Sequence, residues 1–281
     1  MKGILLLATF VSFFSSPAFA DNIGRLSCSA AKPAALRGAK KDAVVKFINA
    51  TRPTEVMDIL PVDLVEFGWA KTGAAGSDDF LALFDFSGRG YANRLWIYRC
   101  ARNGSLRIQE IEGWKMGNLK QIVRDLNSDG QHELIITKEL GLQGSWQPLM
   151  GMPAWPRVYR LENGEYAEAS RDFSNFYDNE ILPQIDKRIN SAAARLSREP
   201  FQKETVAVAE IEKYKILRVL GRNPTAALDE AYKWMDSGNS QLIQCAIATF
   251  ADIGGHEKEL RTARAALKPA LDREMAAHPG G

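Results

Sequence analysis

Short runs of β-branched and aromatic residues, separated by Gly, Asn, Asp and Ser turns, fill the chain from Val62 to Ser170 and constrain its fold most strongly. The runs are LVEFGWA, FLALFDF, RLWIYRC, LKQIVRD, ELIITKE and PRVYRLE. Strands of this length and composition, joined by short turns, are typical of antiparallel sheets. We therefore predict an antiparallel β domain in this part of the chain.

An internal repeat divides the β region. The segment DFSGRG, Asp85 to Gly90, returns in looser form as DLNSDG, Asp125 to Gly130, and a Tyr-Arg pair and an Asn-Gly turn follow each copy. The second copy has about twenty more residues between these landmarks, and Gly141 to Pro156 accounts for most of them. We interpret the copies as two propeller-blade-like units, fewer than a closed propeller needs.

The segment from Asp125 to Leu134, DLNSDGQHEL, has the composition of a cation-binding loop. Oxygen-bearing side chains stand at positions 1, 3, 5 and 9, a backbone carbonyl is available at position 7, and Gly130 at position 6 permits a sharp turn. Such a donor set suits a hard cation that takes six to eight oxygens. The alternative is a turn without metal, because Asp, Asn and Gly favour turns for their own reasons.

The loop differs from a standard EF-hand, since Ile136 occupies position 12 and a strand follows the loop. A strand, a D-x-N-x-D-G-x-x-E-L loop and a second strand resemble the FG-GAP and related VCBS-type repeats of integrin-like propellers, here over Gln121 to Ile136. The resemblance implies a Ca²⁺ ion with a structural role. The ligands that it implies are Asp125, Asn127, Asp129, the Gln131 carbonyl and Glu133.

The first copy has a different donor set. Asp85, Ser87, Arg89 and Asn93 stand at positions 1, 3, 5 and 9. Because Arg89 places a positive charge where a ligand belongs, we expect this copy to bind no ion.

Histidine offers a second interpretation of the loop. The three histidines are His132, His256 and His278, and a transition metal bound by His132 is the alternative to Ca²⁺. We expect His132 to point outward between Gln131 and Glu133, and oxygen ligands suit Ca²⁺ better than Zn²⁺. None of the three histidines lies in a nucleophile signature or in an H-E-x-x-H helix.

From Tyr177 onward the hydrophobic pattern takes the period of helices. One apolar stripe consists of Leu182, Ile185, Ile189 and Leu196. A second stripe runs from Ala207 to Leu217, and residues 239–268 loosely resemble a HEAT-type helix pair. We predict an α-helical hairpin domain after the β domain, which makes the fold class α+β.

Residues 1–20 have the form of a cleavable signal peptide, with a basic Lys2, an apolar run from Ile4 to Phe14 and a small-x-small cleavage site. The run is shorter than the ~20 apolar residues that span a bilayer, which disfavours the alternative of an uncleaved anchor. We expect a mature protein that begins at Asp21 and lies in the periplasm or outside the cell. The predicted parts are the signal peptide (1–20), an N-terminal segment with a short helix (21–61), the β domain with the ion loop (62–176) and the α-helical domain (177–281).

Cysteine and charge content suit an exported protein. Three cysteines permit one disulfide, and because Cys245 lies in an apolar helical stretch we favour Cys28 with Cys100 among the three possible pairings. Removing residues 1–20 removes one of the 36 basic side chains and none of the 34 acidic ones, and the two signs are interspersed. We therefore expect no nucleic-acid partner. We also expect no membrane span, because no stretch after residue 20 is apolar enough to cross a bilayer.

The segment GLQGSWQPLMGMPAWP, Gly141 to Pro156, contains Trp146 and Trp155. These rings are candidates for contact with a protein partner or a sugar ring. The alternative, which we favour, is a cover in which both rings pack over the sheet end or against the helices.

Together these features predict an exported, non-enzymatic Ca²⁺-binding protein that serves as an interaction or scaffold module. We expect its partner to be another exported or envelope protein, bound by the helical hairpins. The alternative is a hydrolase that acts on cell-wall or extracellular polymers, with its site between the domains and the tryptophan segment gripping the substrate. A catalytic carboxylate pair has no sequence signature, because the spacing of the two groups is spatial.

Overall fold

The computed structural model describes residues 27–31, 33–52, 59–71, 78–88, 90, 92–139, 154–199, 202–224, 226–227 and 230. The expected signal peptide, Trp146 and the HEAT-like segment 239–268 lie outside these residues. Within them, no helix combines the length and the apolar character needed to cross a membrane.

The described strands form two antiparallel sheets of four strands, each arranged in chain order. Sheet 1 consists of β1 (Leu64–Lys71), β2 (Asp78–Phe84), β3 (Ala92–Cys100) and β4 (Leu106–Met116). Sheet 2 consists of β5 (Val123–Arg124), β6 (Glu133–Glu139), β7 (Ala154–Glu162) and β8 (Glu165–Glu168). Together with the helices, these sheets confirm the predicted α+β class and the antiparallel pairing.

Helices precede sheet 1, connect the two sheets and follow sheet 2. The helical elements before sheet 1 are α1 (Cys28–Ala31), a 3₁₀ turn (Pro33–Leu36) and α2 (Lys41–Thr51), and α3 (Leu119–Ile122) connects the sheets. Those after sheet 2 are a 3₁₀ turn (Ser170–Phe173), α4 (Ser174–Phe176), a π turn (Tyr177–Ile181), α5 (Leu182–Ala193) and α6 (Gln202–Val219). The change from strands to helices thus falls between β8 and α4.

The two faces of sheet 1 pack against different layers, because successive side chains of a strand point to opposite faces. Phe80, Ala82 and Phe84 of β2 share a core with Val44 and Ile48 of α2. Helix α2 therefore covers the outer face of sheet 1.

The inner face of sheet 1 packs on sheet 2. Leu81 and Leu83 of β2 share a core with Leu134 and Ile136 of β6. On the outer face of sheet 2, Val158 of β7 packs with residues of α5 and α6. The layers follow one another as helix, sheet, sheet and helix.

The segment LKQI, predicted as part of a strand, is the short helix α3 instead. The side chain of Asn118 accepts a hydrogen bond from the backbone N–H of Gln121 at 3.0 Å, and the side chain of Gln121 accepts one from the N–H of Asn118 at 3.1 Å. This reciprocal capping box satisfies N–H groups at the start of a helix that a strand pattern does not anticipate. The N–H of Leu119 also donates to Glu66 Oε2 of β1 at 2.7 Å, which fixes the helix against sheet 1.

The disulfide between Cys28 and Cys100 is present, as predicted, with Cα atoms 5.7 Å apart. The backbone N–H of Cys28 donates to the carbonyl of Gly104 at 2.8 Å, and Ser27 and Ser105 form an isolated antiparallel bridge. The disulfide therefore fastens the N-terminal segment to the turn between β3 and β4.

We expect loss of this disulfide to lower the free energy of unfolding by about 4 kcal/mol, because the bond closes a loop of 72 residues and restricts the unfolded chain. Urea unfolding of a Cys28→Ser, Cys100→Ser variant measures the loss. A Cys245→Ser variant is the matched control and should keep the sensitivity of the parent protein to reductant. Equal unfolding midpoints for the double variant and the parent protein would contradict a stabilising disulfide.

Candidate metal site

The predicted cation loop connects β5 to β6 at one end of sheet 2. Arg124 and Glu133 are antiparallel neighbours in these two strands. Asp125 directly follows Arg124, so positions 1 and 9 of the loop lie at the two sides of its neck. The predicted order of strand, loop and strand is confirmed.

The loop folds around the carboxylate of Asp125. Its Oδ1 accepts a hydrogen bond from the N–H of Asp129 at 3.2 Å, and its Oδ2 accepts one from the N–H of Gly130 at 3.0 Å. Ser128 and Gly130 both have left-handed backbone conformations, with φ angles of 61° and 83°. Gly130 thus occupies the kind of position for which glycine is favoured.

Asn127 and Asp129 hold the exposed rim of the loop. Asn127 Oδ1 accepts from the N–H of Asp129 at 3.1 Å, and Asn127 Nδ2 donates to Asp129 Oδ2 at 2.9 Å. Asp129 Oδ1 accepts from the N–H of Gln131 at 2.7 Å. These contacts hold the oxygen-bearing side chains of Asp125, Asn127 and Asp129 together within one short loop.

Glu133 is the buried member of the set, with a relative exposure of 0%. Its Oε2 accepts a hydrogen bond from the N–H of Leu126 at 2.8 Å. Its Oε1 is also buried and has no hydrogen-bond partner in the part of the chain that the structure describes. An unpaired carboxylate oxygen away from water is costly, and native proteins seldom leave one without a compensating group.

The loop places three acidic side chains close enough to influence one another. Burial raises the pKa of Glu133, the hydrogen bond from Leu126 opposes this rise, and the negative charges of Asp129 and Asp125 raise the pKa further. A cation among these groups removes the mutual repulsion and the cost of the unpaired oxygen together.

The donor chemistry fits calcium, since every predicted ligand offers oxygen and one of these oxygens is buried without a hydrogen-bond partner in the described ranges. The described residues nevertheless contain no group of three or more His, Cys, Asp or Glu side chains already arranged to hold a metal ion. In the present loop the two aspartates accept hydrogen bonds from backbone N–H groups. The fit therefore rests on the donor set and on Glu133 Oε1.

The two copies of the repeat share their hydrogen bonding. In the first copy, the N–H of Gly90 donates to Asp85 Oδ2 at 2.6 Å, and the N–H of Phe86 donates to Asn93 Oδ1 at 3.0 Å. The same positions are bonded in the second copy, where the residue at position 9 is Glu133. A neutral amide thus stands in the first loop where the second loop buries a carboxylate.

The landmarks of the repeat enclose different numbers of strands. In sheet 1, a single strand, β3, lies between the loop and the Asn103-Gly104 turn. In sheet 2, both β6 and β7 lie between the loop and the Asn163-Gly164 turn. The greater length of the second copy therefore includes a strand as well as the segment that follows Glu139.

The ring of His132 lies against the end of β1, outside the loop. The ring Nδ1 of His132 accepts a hydrogen bond from the backbone N–H of Lys71 at 2.9 Å. The backbone N–H of His132 donates to the Lys71 carbonyl at 2.7 Å. The sequence does not predict this contact, because Lys71 and His132 are 61 positions apart.

Trp155 lies in the core, with a relative exposure of 1%. The centre of its ring is 6.3 Å from that of Tyr177, and the guanidinium carbon of Arg157 lies 5.3 Å from the Trp155 ring centre. Trp155 is therefore packed inside the protein, as the alternative favoured from the sequence predicts, and does not form an exposed contact surface. The contact with a partner or a sugar ring stays a prediction for Trp146, which lies outside the described residues.

Compared with protein-family models, with curated proteins and with solved structures, the chain shows no match in any of the three comparisons.

We expect a Glu133→Gln variant without calcium to be more stable than the parent protein at pH 7, by on the order of 1 kcal/mol. Folding raises the pKa of Glu133, so the ionised side chain lowers the free energy of unfolding, and this cost disappears as the pH falls through the native pKa toward about 4. Urea unfolding in chelator between pH 4 and pH 7 measures the difference.

Glu180 provides a control of opposite sign. Its hydrogen bonds from Arg124 lower the pKa of Glu180, so Glu180→Gln should reduce stability at pH 7, by less than about 1 kcal/mol at this partly exposed site. A Glu133→Gln variant less stable than the parent protein at pH 7 would show that the buried carboxylate is compensated within the chain.

Proposed function

We propose that the protein is an exported, non-enzymatic calcium-binding module that takes part in protein interaction or scaffolding. The observation that carries this proposal is Oε1 of Glu133, which is buried at the neck of an acidic loop and has no hydrogen-bond partner among the described residues. Calcium satisfies that oxygen and neutralises the carboxylates around it.

Each proposed ligand has a distinct part. Asp125 and Asp129 supply charge from the exposed side, Asn127 supplies a neutral oxygen, and Gln131 contributes its carbonyl. Glu133 supplies the buried carboxylate, which joins the ion to the first residue of β6. The ion stiffens the connection between two strands, a structural role.

The resemblance to FG-GAP and VCBS-type repeats stays part of the proposal. Three observations support it: each sheet is a four-stranded meander, the sheets stack face to face as neighbouring blades do, and the two loops share two hydrogen bonds. We propose two blade-like units of this kind, followed by α-helical hairpins of which α5 and α6 form one.

Export to an oxidising compartment, the periplasm or the outside of the cell, is supported by the Cys28 to Cys100 disulfide. Disulfides persist in such compartments and are rare in reducing ones. The signal-peptide pattern of residues 1–20 points to the same destination.

A partner from the same compartment is the second half of the proposal. Val62, Val65 and Phe86 expose apolar side chains, and a backbone hydrogen bond from Asp85 to Asp63 places their segments side by side. We propose these exposed apolar side chains as a contact surface for the partner in addition to the helical hairpins.

We expect millimolar calcium to raise the thermal midpoint of residues 21–281 by several degrees relative to chelator. An ion at a hundred times its dissociation constant adds about 2.7 kcal/mol to the free energy of unfolding. Differential scanning calorimetry of the parent protein and an Asp125→Asn variant measures the effect, which the variant should lose.

The matched control is Asp85→Asn in the first loop, because Asp85 accepts the same hydrogen bond from a glycine N–H at position 6. Both variants should lose similar stability in chelator, and only Asp85→Asn should still respond to calcium. An identical midpoint with calcium and with chelator in the parent protein would refute the calcium site.

A further inference from the structure

A two-point contact joins the cation loop of sheet 2 to the edge of sheet 1. The backbone N–H of His132 donates to the carbonyl of Lys71, and the Nδ1 of His132 accepts from the N–H of the same residue. Lys71 is the last residue of β1. The ring and the backbone N–H of one loop residue therefore satisfy the N–H and the carbonyl at the end of an edge strand of the other sheet.

Further polar contacts join the two sheets near His132, and we call this region of contact the junction. The amide of Gln109 in β4 donates to the carbonyl of Tyr166 in β8 at 2.8 Å and accepts from its N–H at 2.7 Å. The hydroxyl of Tyr166 reaches the carbonyl of His132 at 3.5 Å. His132 thus contacts both sheets, and its backbone belongs to the loop itself.

We propose that His132 is the positioning residue through which calcium in the loop strengthens the junction between the two sheets. The inference rests on the proposed calcium site. His132 stands between the Gln131 carbonyl and the Glu133 carboxylate, two of the proposed ligands. An ion that fixes the residues on both sides of His132 restricts its backbone and ring, so the two bonds to Lys71 break less often.

The first copy of the loop offers an internal contrast. Its position 8 is Ala92, which lies in β3 and pairs with Met116 of the same sheet. Ala92 has no side-chain acceptor, so it cannot make the ring contact that His132 makes with Lys71. The junction role is therefore a property of the second loop.

Coupling between two sites is reciprocal. If calcium strengthens the Lys71 contact, loss of the imidazole acceptor weakens calcium binding. We expect His132→Phe, which keeps a ring and removes the acceptor, to reduce calcium affinity by about fivefold, the lower end of typical couplings. We expect His132→Asn, whose Oδ1 can accept the same N–H, to stay within about twofold of the parent protein.

The experiment combines calorimetric calcium titration with amide hydrogen exchange of residues 21–281. In the parent protein, calcium should slow exchange at the Lys71 amide severalfold more than at the β2 amides that face β3. The His132→Phe variant should lose that extra protection, and His132→Asn should keep it.

The outcomes separate the two proposals. If the parent protein binds calcium but Lys71 exchange is unchanged, or if His132→Phe binds as tightly as the parent protein, the junction role is wrong and the calcium site stands. If the parent protein binds no calcium, both proposals fall. Because the exchange measurement on the parent protein needs no substitution, the test holds even if His132→Phe does not fold.

Discussion

The apolar contact between the inner faces of the two sheets organises this molecule. Strand β2 is buried on both faces, and β6 is buried on one face and partly buried on the other. Each sheet therefore needs a cover on either side, and each uses the other sheet for one of them. The approach is close: a Cβ on Gly113 of β4 would lie 2.8 Å from Cγ2 of Ile136. Helices α2, α5 and α6 then complete the two outer covers.

Polar contacts fix the angle and the register between the two sheets, which apolar packing alone does not determine. Asp79, almost fully buried in β2, forms an ion pair with Arg99 of β3, and Arg99 also donates to the carbonyl of Gly164 in sheet 2 at 2.8 Å. Buried charges of this kind persist when they are paired and hydrogen-bonded. Glu133 is the exception, because half of its carboxylate has no partner in the described chain.

The candidate site follows from this difference between paired and unpaired buried charge. The two loops of the repeat share a fold, yet the residue at position 9 is an amide in one and a buried carboxylate in the other. A bare turn has no need of a buried charge, whereas a calcium loop uses one. The second loop also contacts the neighbouring sheet through His132, so the proposed ion would act on more than one connection between strands.

Most of the fold that could be predicted was predicted from local patterns in the sequence. Alternation and turn residues identified the sheet region, the donor spacing identified the loop from Asp125 to Glu133, and the apolar setting of Cys245 favoured the disulfide that is present. The capping box of α3 depends on Asn118 and Gln121, whose side chains do not appear in a hydrophobic pattern. The His132 contact and the burial of Trp155 depend on tertiary packing between segments far apart in the sequence. The domain limits, the export signal and the calcium ion stay predictions.

The most direct test of the calcium site is a crystal structure of residues 21–281 grown in millimolar calcium, with anomalous data to identify the ion. We expect one ion in the second loop, about 2.3 to 2.6 Å from Glu133 Oε1 and from oxygens of Asp125, Asn127, Asp129 and Gln131. We expect none in the loop that contains Asp85. An ordered second loop in which Glu133 Oε1 is hydrogen-bonded to water or protein, with no ion beside it, would contradict the account.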